Sequence, residues 1–256
     1  MIAPVDAGDI VAALSLPPGA RVDRRVPKTL LVEHGAPTAT DKRRINEGIE
    51  EVQWVATLKP TTIGVPAVRD DVREYLEIAV LSVALRADAK VERLAELIHR
   101  AVPYPVFLLV AQGTHLTLSL AHKRWSQGET GAMVLDGEPV TVTLRESEPD
   151  GPEASFHEAL SLARQPRADL YRLYQGWIDT LLALLAARVT GVFAVATSPD
   201  QAATRREALR ECARLDADIS RLRSVASKEM QVHRRVTLNL ELKRSEAART
   251  AALARL

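Results

Sequence analysis

The last 57 residues of the chain, 200–256, contain no glycine, no proline and no aromatic residue, although the whole sequence holds 12 glycines and 14 prolines. Glycine and proline are common in turns and at helix ends, so their absence predicts long helices. A single helix of this length would span roughly 85 Å at 1.5 Å per residue, far more than a compact domain. The stretch therefore predicts a helical hairpin or a protruding helical arm.

Ser198-Pro199 predicts where this helical region begins, because serine caps free N–H groups and proline suits the first helical position. Beyond it, apolar residues recur at the alternating spacing of a coiled-coil seam, with Glu229 and His233 as interruptions. The seam residues are Cys212, Leu215, Ile219, Leu222, Ala226, Val236 and Leu240. We predict a partner-binding surface formed by Leu215, Ile219, Leu222, Gln231, Val236, Asn239 and Leu240.

Residues 236–242 alternate apolar and polar side chains, which is also the pattern of a half-buried strand. The basic pairs that flank this segment carry no turn signals, so helix is the favoured interpretation and strand is the alternative. We assign 212–226 to packing and expect the functional contact in 228–244.

The first 146 residues mix the period of strands with that of helices. Strand-like segments at 52–58 and 76–85 are joined by a polar connection, and an amphipathic helix follows at 89–101. The sequence predicts two further hairpins, 106–110 with 115–121 and 133–135 with 140–144. This order predicts an α+β fold, in which a largely antiparallel or mixed sheet with flanking helices precedes the helical C-terminal region.

The clearest domain boundary is segment 147–153, where two prolines and a glycine stand among acidic residues. We predict an α+β domain at 1–146, a linker at 147–153 and a helical region at 154–256. The coiled-coil-like arm is expected at 198–256.

Positive charge is concentrated in the tail, although the net charge of the chain is only +1. Residues 201–256 hold 13 Lys and Arg against 7 Asp and Glu, a balance of +6, and the remainder carries −5. A predicted basic loop at 21–28 adds a second positive region. This asymmetry favours binding of the tail to nucleic acid or to an acidic partner. The alternative is that the charges only keep the surface of the helices solvated. The predicted nucleic-acid contacts are Arg24, Arg25, Lys28, Lys42, Arg43, Arg44, Lys123, Arg124, Arg234 and Arg235.

The motifs predict no catalytic residue, metal site or cofactor. The six histidines lack the spacing of zinc ligands, and the single cysteine excludes an internal disulfide. The sequence has no Gly-x-Ser-x-Gly elbow and no glycine-rich phosphate loop. A degenerate metal-dependent nuclease-like site is the alternative, with Glu77 on a strand, Asp70 and Asp71 before it, and Lys59 or Lys123 as the cation.

The N-terminus lacks the basic-then-apolar pattern of a signal peptide, and no apolar run reaches the length of about 18 residues that a membrane span needs. A single cysteine suits a reducing compartment. We therefore expect a cytoplasmic protein without a membrane partner.

Several segments together point to one family. They are Leu16-Pro17, Val26-Pro27-Lys28, Leu58-Lys59-Pro60-Thr61-Thr62-Ile63, Pro103-Tyr104-Pro105, Lys228-Glu229-Met230-Gln231 and Leu238-Asn239-Leu240-Glu241-Leu242-Lys243. They resemble an uncharacterised prokaryotic domain-of-unknown-function family, whose members are typically encoded near helicases and DNA methyltransferases in restriction-type or phage-defence operons. The resemblance covers most of the chain and is weakest at 126–165. It implies a role in DNA-directed defence that is subordinate to a larger enzyme.

These observations give three hypotheses of different classes. We predict an accessory subunit that docks on a partner such as a helicase or a DNA methyltransferase and contacts nucleic acid. One alternative is a nucleic-acid-processing enzyme with the degenerate nuclease-like site. The other is a self-associating scaffold, with a homodimer formed through the C-terminal helices.

Overall fold

A computed structural model describes residues 6–144 and 151–256 and confirms the α+β fold. The helices are α1 (Ala7–Ala13), α2 (Lys28–Gly35), α3 (Ala39–Gly48), α4 (Pro60–Ile63), α5 (Val91–Ala101), α6 (Pro152–Ala159), α7 (Leu170–Thr190), α8 (Pro199–Lys228) and α9 (Val232–Leu253). The strands are β1 (Arg21–Arg25), β2 (Ile49–Leu58), β3 (Val68–Arg69), β4 (Glu74–Tyr75), β5 (Ile78–Leu85), β6 (Val106–Gln112), β7 (His115–Leu120), β8 (Lys123–Trp125), β9 (Met133–Leu135) and β10 (Val140–Thr143). Two short 3-10 turns lie at Pro18–Ala20 and Leu162–Arg164.

Six strands form the main sheet, in the order β1-β2-β5-β6-β7-β10. β5 and β6 are parallel, with Ala79 opposite Val106 and Leu85 opposite Gln112, because α5 carries the chain from the end of one strand to the start of the next. The other neighbouring strands in this sheet are antiparallel. The sheet is therefore mixed, as the sequence predicts.

One face of the sheet is covered by α2, α3 and α5. Leu81 of β5 and Leu108 of β6 share a buried cluster with Ile98, which lies on the apolar side of amphipathic α5. α2 packs closely on α5 at Gly35, where an added Cβ would lie 2.6 Å from the Cβ of Ala101. Glycine is therefore required there, because a larger residue would push the two helices apart.

α7 lies on the opposite face of the sheet, since Phe107 alternates with the residues that face α5. The ring of Trp177 meets that of Phe107 edge-on at 5.2 Å, and its Nε1 donates to the carbonyl oxygen of Leu160 at 2.9 Å. The hydroxyl of Tyr174 donates to the carbonyl oxygen of Val106 at 2.7 Å. The first half of α7 therefore belongs to the core of the sheet domain.

The chain divides into two compact units, Met1–Leu181 and Leu182–Leu256. The sequence predicts a division at 147–153, and most of that segment lies outside the described residues. Its last two residues, Pro152 and Glu153, already belong to α6. The structural division comes later because α7 contributes its first half to the sheet domain.

Two local predictions are corrected by the structure. Segment 21–28 is not a loop, because Arg21–Arg25 forms edge strand β1 and α2 begins at Lys28. The predicted hairpin of 133–135 with 140–144 does not form: β9 pairs with β8, and β10 pairs with β7. A turn signal shows where the chain reverses, but it does not show which strand will be the partner.

Tyr174→Phe should lower the free energy of unfolding by about 2 kcal/mol, because the hydroxyl makes two buried hydrogen bonds. It accepts from the N–H of Ala121 at 2.9 Å and donates to Val106, and both backbone groups would lose their partner. Urea unfolding followed by tryptophan fluorescence measures the change. The control is Tyr171→Phe, since the Tyr171 hydroxyl makes no hydrogen bond within the described part of the chain. Equal effects of the two substitutions would contradict the prediction.

Among the helices of the described residues, none is long and apolar enough to cross a membrane.

Candidate interaction surfaces

α8 and α9 form an antiparallel helical hairpin, so the tail contains one reversal rather than a single rod. Ser198 caps α8 as predicted, with its hydroxyl accepting from the N–H of Gln201 at 3.2 Å. Residues 236–242 lie within α9, which confirms the helical interpretation. The buried side chains of α8 between Cys212 and Ala226 include the predicted residues Leu215, Ile219 and Leu222.

The interior of the hairpin is therefore already filled by this chain. Leu215, Ile219 and Leu222 are nearly inaccessible, and burial raises the pKa of the neighbouring Cys212 thiol. This corrects the expectation that these three leucine and isoleucine side chains bind a partner, because a seam closed by α9 leaves no apolar surface there. It agrees with the assignment of 212–226 to packing.

Ion pairs between the two helices fix the register of the hairpin. Arg223 lies 2.7 Å from Glu246, and Arg249 and Arg255 pair with Asp216 and Glu211 respectively. The first two pairs join α8 to α9, and the third joins α8 to Arg255, two residues beyond the end of α9. Exposed pairs of this kind contribute at most about 1 kcal/mol each, so they select the register, while the apolar seam supplies most of the stability.

The turn between the helices changes which side of the chain faces inward. Glu229 accepts a hydrogen bond from the N–H of Gln231 at 2.8 Å, and α9 begins at Val232. Val236 and Leu240 then lie outside the seam, with 52% and 54% of their surface exposed. The predicted seam does not continue through these two residues.

Five large apolar side chains are exposed at this end of the hairpin. Among the described residues, eleven large apolar side chains are exposed, and five of them fall within 225–240. We call this surface the hairpin tip, and it consists of Val225, Met230, Val232, Val236 and Leu240. Of the other predicted partner-binding residues, Gln231 and Asn239 are exposed near it. A concentration of exposed apolar groups marks an interaction surface.

The predicted phosphate-binding residues are distributed over several elements. Arg24 and Arg25 are exposed on edge strand β1, opposite Trp54 and Gln53 of β2. Consecutive strand residues point to opposite faces, so the two guanidinium groups do not share one face. Arg25 also lies 3.7 Å from the carboxylate of Glu51.

Part of the positive charge of the cluster 42–44 in α3 is balanced within the protein. The guanidinium of Arg93 beside Asp41 holds the pKa of this buried carboxyl well below its ordinary value, with further hydrogen bonds from Thr38 and Arg44. An internal carboxylate therefore offsets the cations near the start of the helix, and no external phosphate is needed for this purpose.

The other two residues of this cluster are exposed, and Lys28 has a structural contact. Lys42 projects into solvent, and Arg43 lies 3.8 Å from Glu47. The ammonium group of Lys28 donates to the carbonyl oxygens of Asn46 at 3.0 Å and Ile49 at 2.9 Å. These carbonyl groups lie at the C-terminal end of α3, so Lys28 caps this helix.

Lys123 is buried, which corrects its assignment as a phosphate contact. Its side chain is 1% exposed, and its ammonium group donates to the carbonyl oxygens of His99 and Val102 at the C-terminal end of α5. Burial lowers the pKa of Lys123 to about 8 and that of His99 to about 3. Arg124 remains half-buried and lies 3.7 Å from Asp136. The tail pair, Arg234 and Arg235, is exposed on α9.

The carboxylates of the nuclease-like alternative are used in other contacts. Glu77 is buried, and its carboxylate lies 2.9 Å from the ammonium group of Lys59. The carboxylate of Asp70 accepts from the N–H groups of Val72 and Arg73, which lowers its pKa. Within residues 6–144 and 151–256, no three His, Cys, Asp or Glu side chains are grouped closely enough to hold a metal ion. No structural observation favours this alternative.

The sequence gives no indication of a hydrogen-bonded chain that links β4, β8 and α7. Gln175 donates to Asp179 at 2.8 Å, so its carbonyl oxygen accepts from Nε2 of His122 at 2.8 Å. Nδ1 of His122 then accepts from the hydroxyl of Tyr75, which in turn accepts from the N–H of Lys123 at 3.2 Å. Both ring nitrogens are engaged and Tyr75 is fully buried, so the chain connects secondary-structure elements. Spacing alone does not predict it, because its members are about 50 residues apart.

No curated protein and no solved structure matches this chain. A family model matches residues 14–248, which include the whole sheet, the connecting helices and most of the helical hairpin. The chain therefore belongs to DUF4391, a family described as a domain of unknown function.

Proposed function

We propose that this protein is a non-enzymatic accessory subunit that docks on a larger DNA-acting enzyme through the hairpin tip. The observation that supports the docking role is the concentration of exposed apolar side chains at 225–240, on a hairpin whose interior is already closed. The DNA-directed context comes from the resemblance to a family encoded near helicases and DNA methyltransferases in restriction-type or phage-defence operons. The partner in this proposal is such a helicase or methyltransferase.

Direct contact with nucleic acid is the secondary part of the proposal. Arg24, Lys42, Arg234 and Arg235 are exposed, and none forms an ion pair in the described part of the chain. Cations of this kind contribute binding that weakens steeply with salt. They lie on β1, α3 and α9, and in this proposal they add to the affinity of a complex for DNA.

Affinity purification of the tagged full-length protein from its native host tests the docking role. We expect a helicase or a DNA methyltransferase to co-purify after nuclease treatment, identified by mass spectrometry. Val236→Glu combined with Leu240→Glu should reduce recovery at least tenfold, on the order of 1.4 kcal/mol of lost affinity, because two carboxylates would enter an apolar contact. The control is Ala203→Glu with Thr204→Glu, which adds the same charge at exposed positions near the start of α8.

Three results would contradict this proposal. One is the absence of any DNA-acting protein from the purified complex. Another is a complex that disappears on nuclease treatment, which would assign the association to nucleic acid. The third is an equal loss of partner with the tip variant and the control variant.

A further inference from the structure

α9 carries apolar residues on two opposite faces. Successive residues of a helix are about 100° apart, so residues two positions apart lie on nearly opposite sides. Leu238 and Leu242 lie on the side of the seam and are half-buried. Ala252, further along the same side, is fully buried. Val236 and Leu240 therefore face away from α8, as their exposure shows.

The outward face continues beyond the hairpin tip. Val232, Val236, Leu240, Ala247 and Ala251 follow one another at intervals that keep them on one side of α9, and all five are exposed. We call this set the outer stripe. It extends over about 30 Å of helix, the length that a second helix of about 20 residues would cover.

The charges around the distal part of the hairpin differ from those at its base. At the base, arginines of one helix pair with carboxylates of the other. In 228–244 there are five Lys and Arg against two Asp and Glu, a balance of +3, and the described structure forms no ion pair among them. Exposed Lys243 lies within the outer stripe, between Leu240 and Ala247, and exposed Arg244 borders it.

From this combination we infer that the outer stripe of α9 binds an amphipathic helix of a partner protein, whose own apolar stripe is bordered by Asp and Glu. Apolar side chains then meet across the two helices, and carboxylates reach Lys243 and Arg244. This is helix-on-helix docking, in which the apolar contact supplies affinity and the charges select the partner. The inference names the partner chemistry of the proposed docking surface and rests on that proposal only for its biological role.

Charge and exposure distinguish this occupant from two others. A second copy would place an unpaired positive surface against its equal, and like charges at close range are destabilising. Nucleic acid would satisfy Lys243 and Arg244 but would leave the outer stripe exposed to water. It would also leave Met230 of the hairpin tip uncovered, and this side chain is 92% exposed. An acid-bordered apolar helix satisfies both features.

A phage-displayed library of amphipathic helices, each of about 20 residues, tests the inference on the full-length protein. The apolar positions are leucine, and the bordering positions vary among Glu, Gln and Lys. Selection on the unmodified chain is followed by removal of phage that bind the Val236→Glu/Leu240→Glu variant. We expect the retained helices to carry Glu at the borders. One of them, synthesised with a fluorophore, should bind the unmodified chain at least about tenfold more tightly than the variant.

Reversal of the border charges gives the matched test. Lys243→Glu with Arg244→Glu should change the selected border residue from Glu to Lys, while circular dichroism shows that the hairpin is intact. Retention of no helix, or of helices with Gln or Lys borders on the unmodified chain, would overturn the inference. So would a dimer in sedimentation equilibrium that Val236→Glu/Leu240→Glu dissociates, or duplex-DNA binding that depends on the same two residues.

The two proposals fail separately. In one case the selection yields Glu-bordered helices while the complex purified from the host lacks a DNA-acting enzyme. This pair of results would retain the inference and reject the proposed function. A helicase or methyltransferase that binds the tip, with no retention of acidic helices, would reject the inference alone.

Discussion

Ile219→Asp should unfold the α8–α9 hairpin while the sheet unit stays folded. Ile219 is buried in the middle of the seam, and an aspartate there would place an unpaired carboxylate among apolar side chains. The expected cost is roughly 4 kcal/mol or more, the range for an unpaired buried charge. The exposed ion pairs across the hairpin are too weak to offset it. Isolated helices are marginal in water, so α8 and α9 should lose structure together.

The sequence supplies separate reporters for the two units. All three tryptophans, Trp54, Trp125 and Trp177, lie within Met1–Leu181, and the single cysteine, Cys212, lies in the seam. In Ile219→Asp we expect the thiol to react rapidly with an aromatic disulfide reagent and the helical circular dichroism signal to fall. The tryptophan emission should stay unchanged.

Ser220→Asp is the control for this prediction, because it places the same side chain at an exposed position of the same helix. It should leave the thiol protected and the helical signal intact. A shift in tryptophan emission that accompanies thiol exposure in Ile219→Asp would contradict the prediction, since the two units would then unfold as one. Equal thiol reactivity in Ile219→Asp and Ser220→Asp would contradict it as well.

The tail shows how far a periodic pattern predicts structure. The spacing from Cys212 to Ala226 predicts the seam correctly, because α8 is continuous and its inward face follows one phase. The turn after Lys228 breaks the helix, so the residues that face inward on α9 are not those expected from the spacing in α8. Val236 and Leu240 therefore face outward, although their spacing continues that of the seam in α8. The spacing of apolar residues predicts which side of a helix faces inward only as long as the helix is continuous.

The alternation in 236–242 has the same explanation. Residues two positions apart lie on the same face of a strand but on nearly opposite sides of a helix. Leu238 and Leu242 pack toward the seam, and Val236 and Leu240 form part of the outer stripe. A period of two in a helix therefore indicates two apolar faces. The outward face with Val236 and Leu240 was not evident from the sequence, because the same alternation is also the pattern of a half-buried strand.

In the sheet unit, the elements are more predictable than their contacts. The helix near 89–101 and the hairpin of β6 with β7 follow from local patterns and the Gln112-Gly113 turn. Pairing of β10 with β7 and burial of Lys123 depend on residues that are distant along the chain. Lys123-Arg124-Trp125 resembles a surface patch in sequence. Only the structure, in which the ammonium group of Lys123 contacts the C-terminal end of α5, shows that this lysine is buried.

The second large effect is expected from the pH dependence of Lys123. Its pKa is about 8 in the folded protein, against an ordinary value of 10.5. Below pH 8 the group is charged in both states, and its burial opposes folding. Between pH 8 and 10.5 the unfolded chain binds more protons, so stability rises with pH. Relative to Lys123→Met, the unmodified protein should gain about 2 kcal/mol of unfolding free energy between pH 7.5 and 10.

Urea unfolding at several pH values, followed by tryptophan fluorescence, measures this gain. The comparison stops near pH 10 because burial raises the pKa of Tyr75, whose ionisation in the unfolded chain lowers stability above that pH. Both proteins contain Tyr75, so their difference isolates the lysine. Parallel profiles for Lys123→Met and the unmodified protein would contradict the prediction, because they would show that the buried ammonium of Lys123 does not titrate in this range.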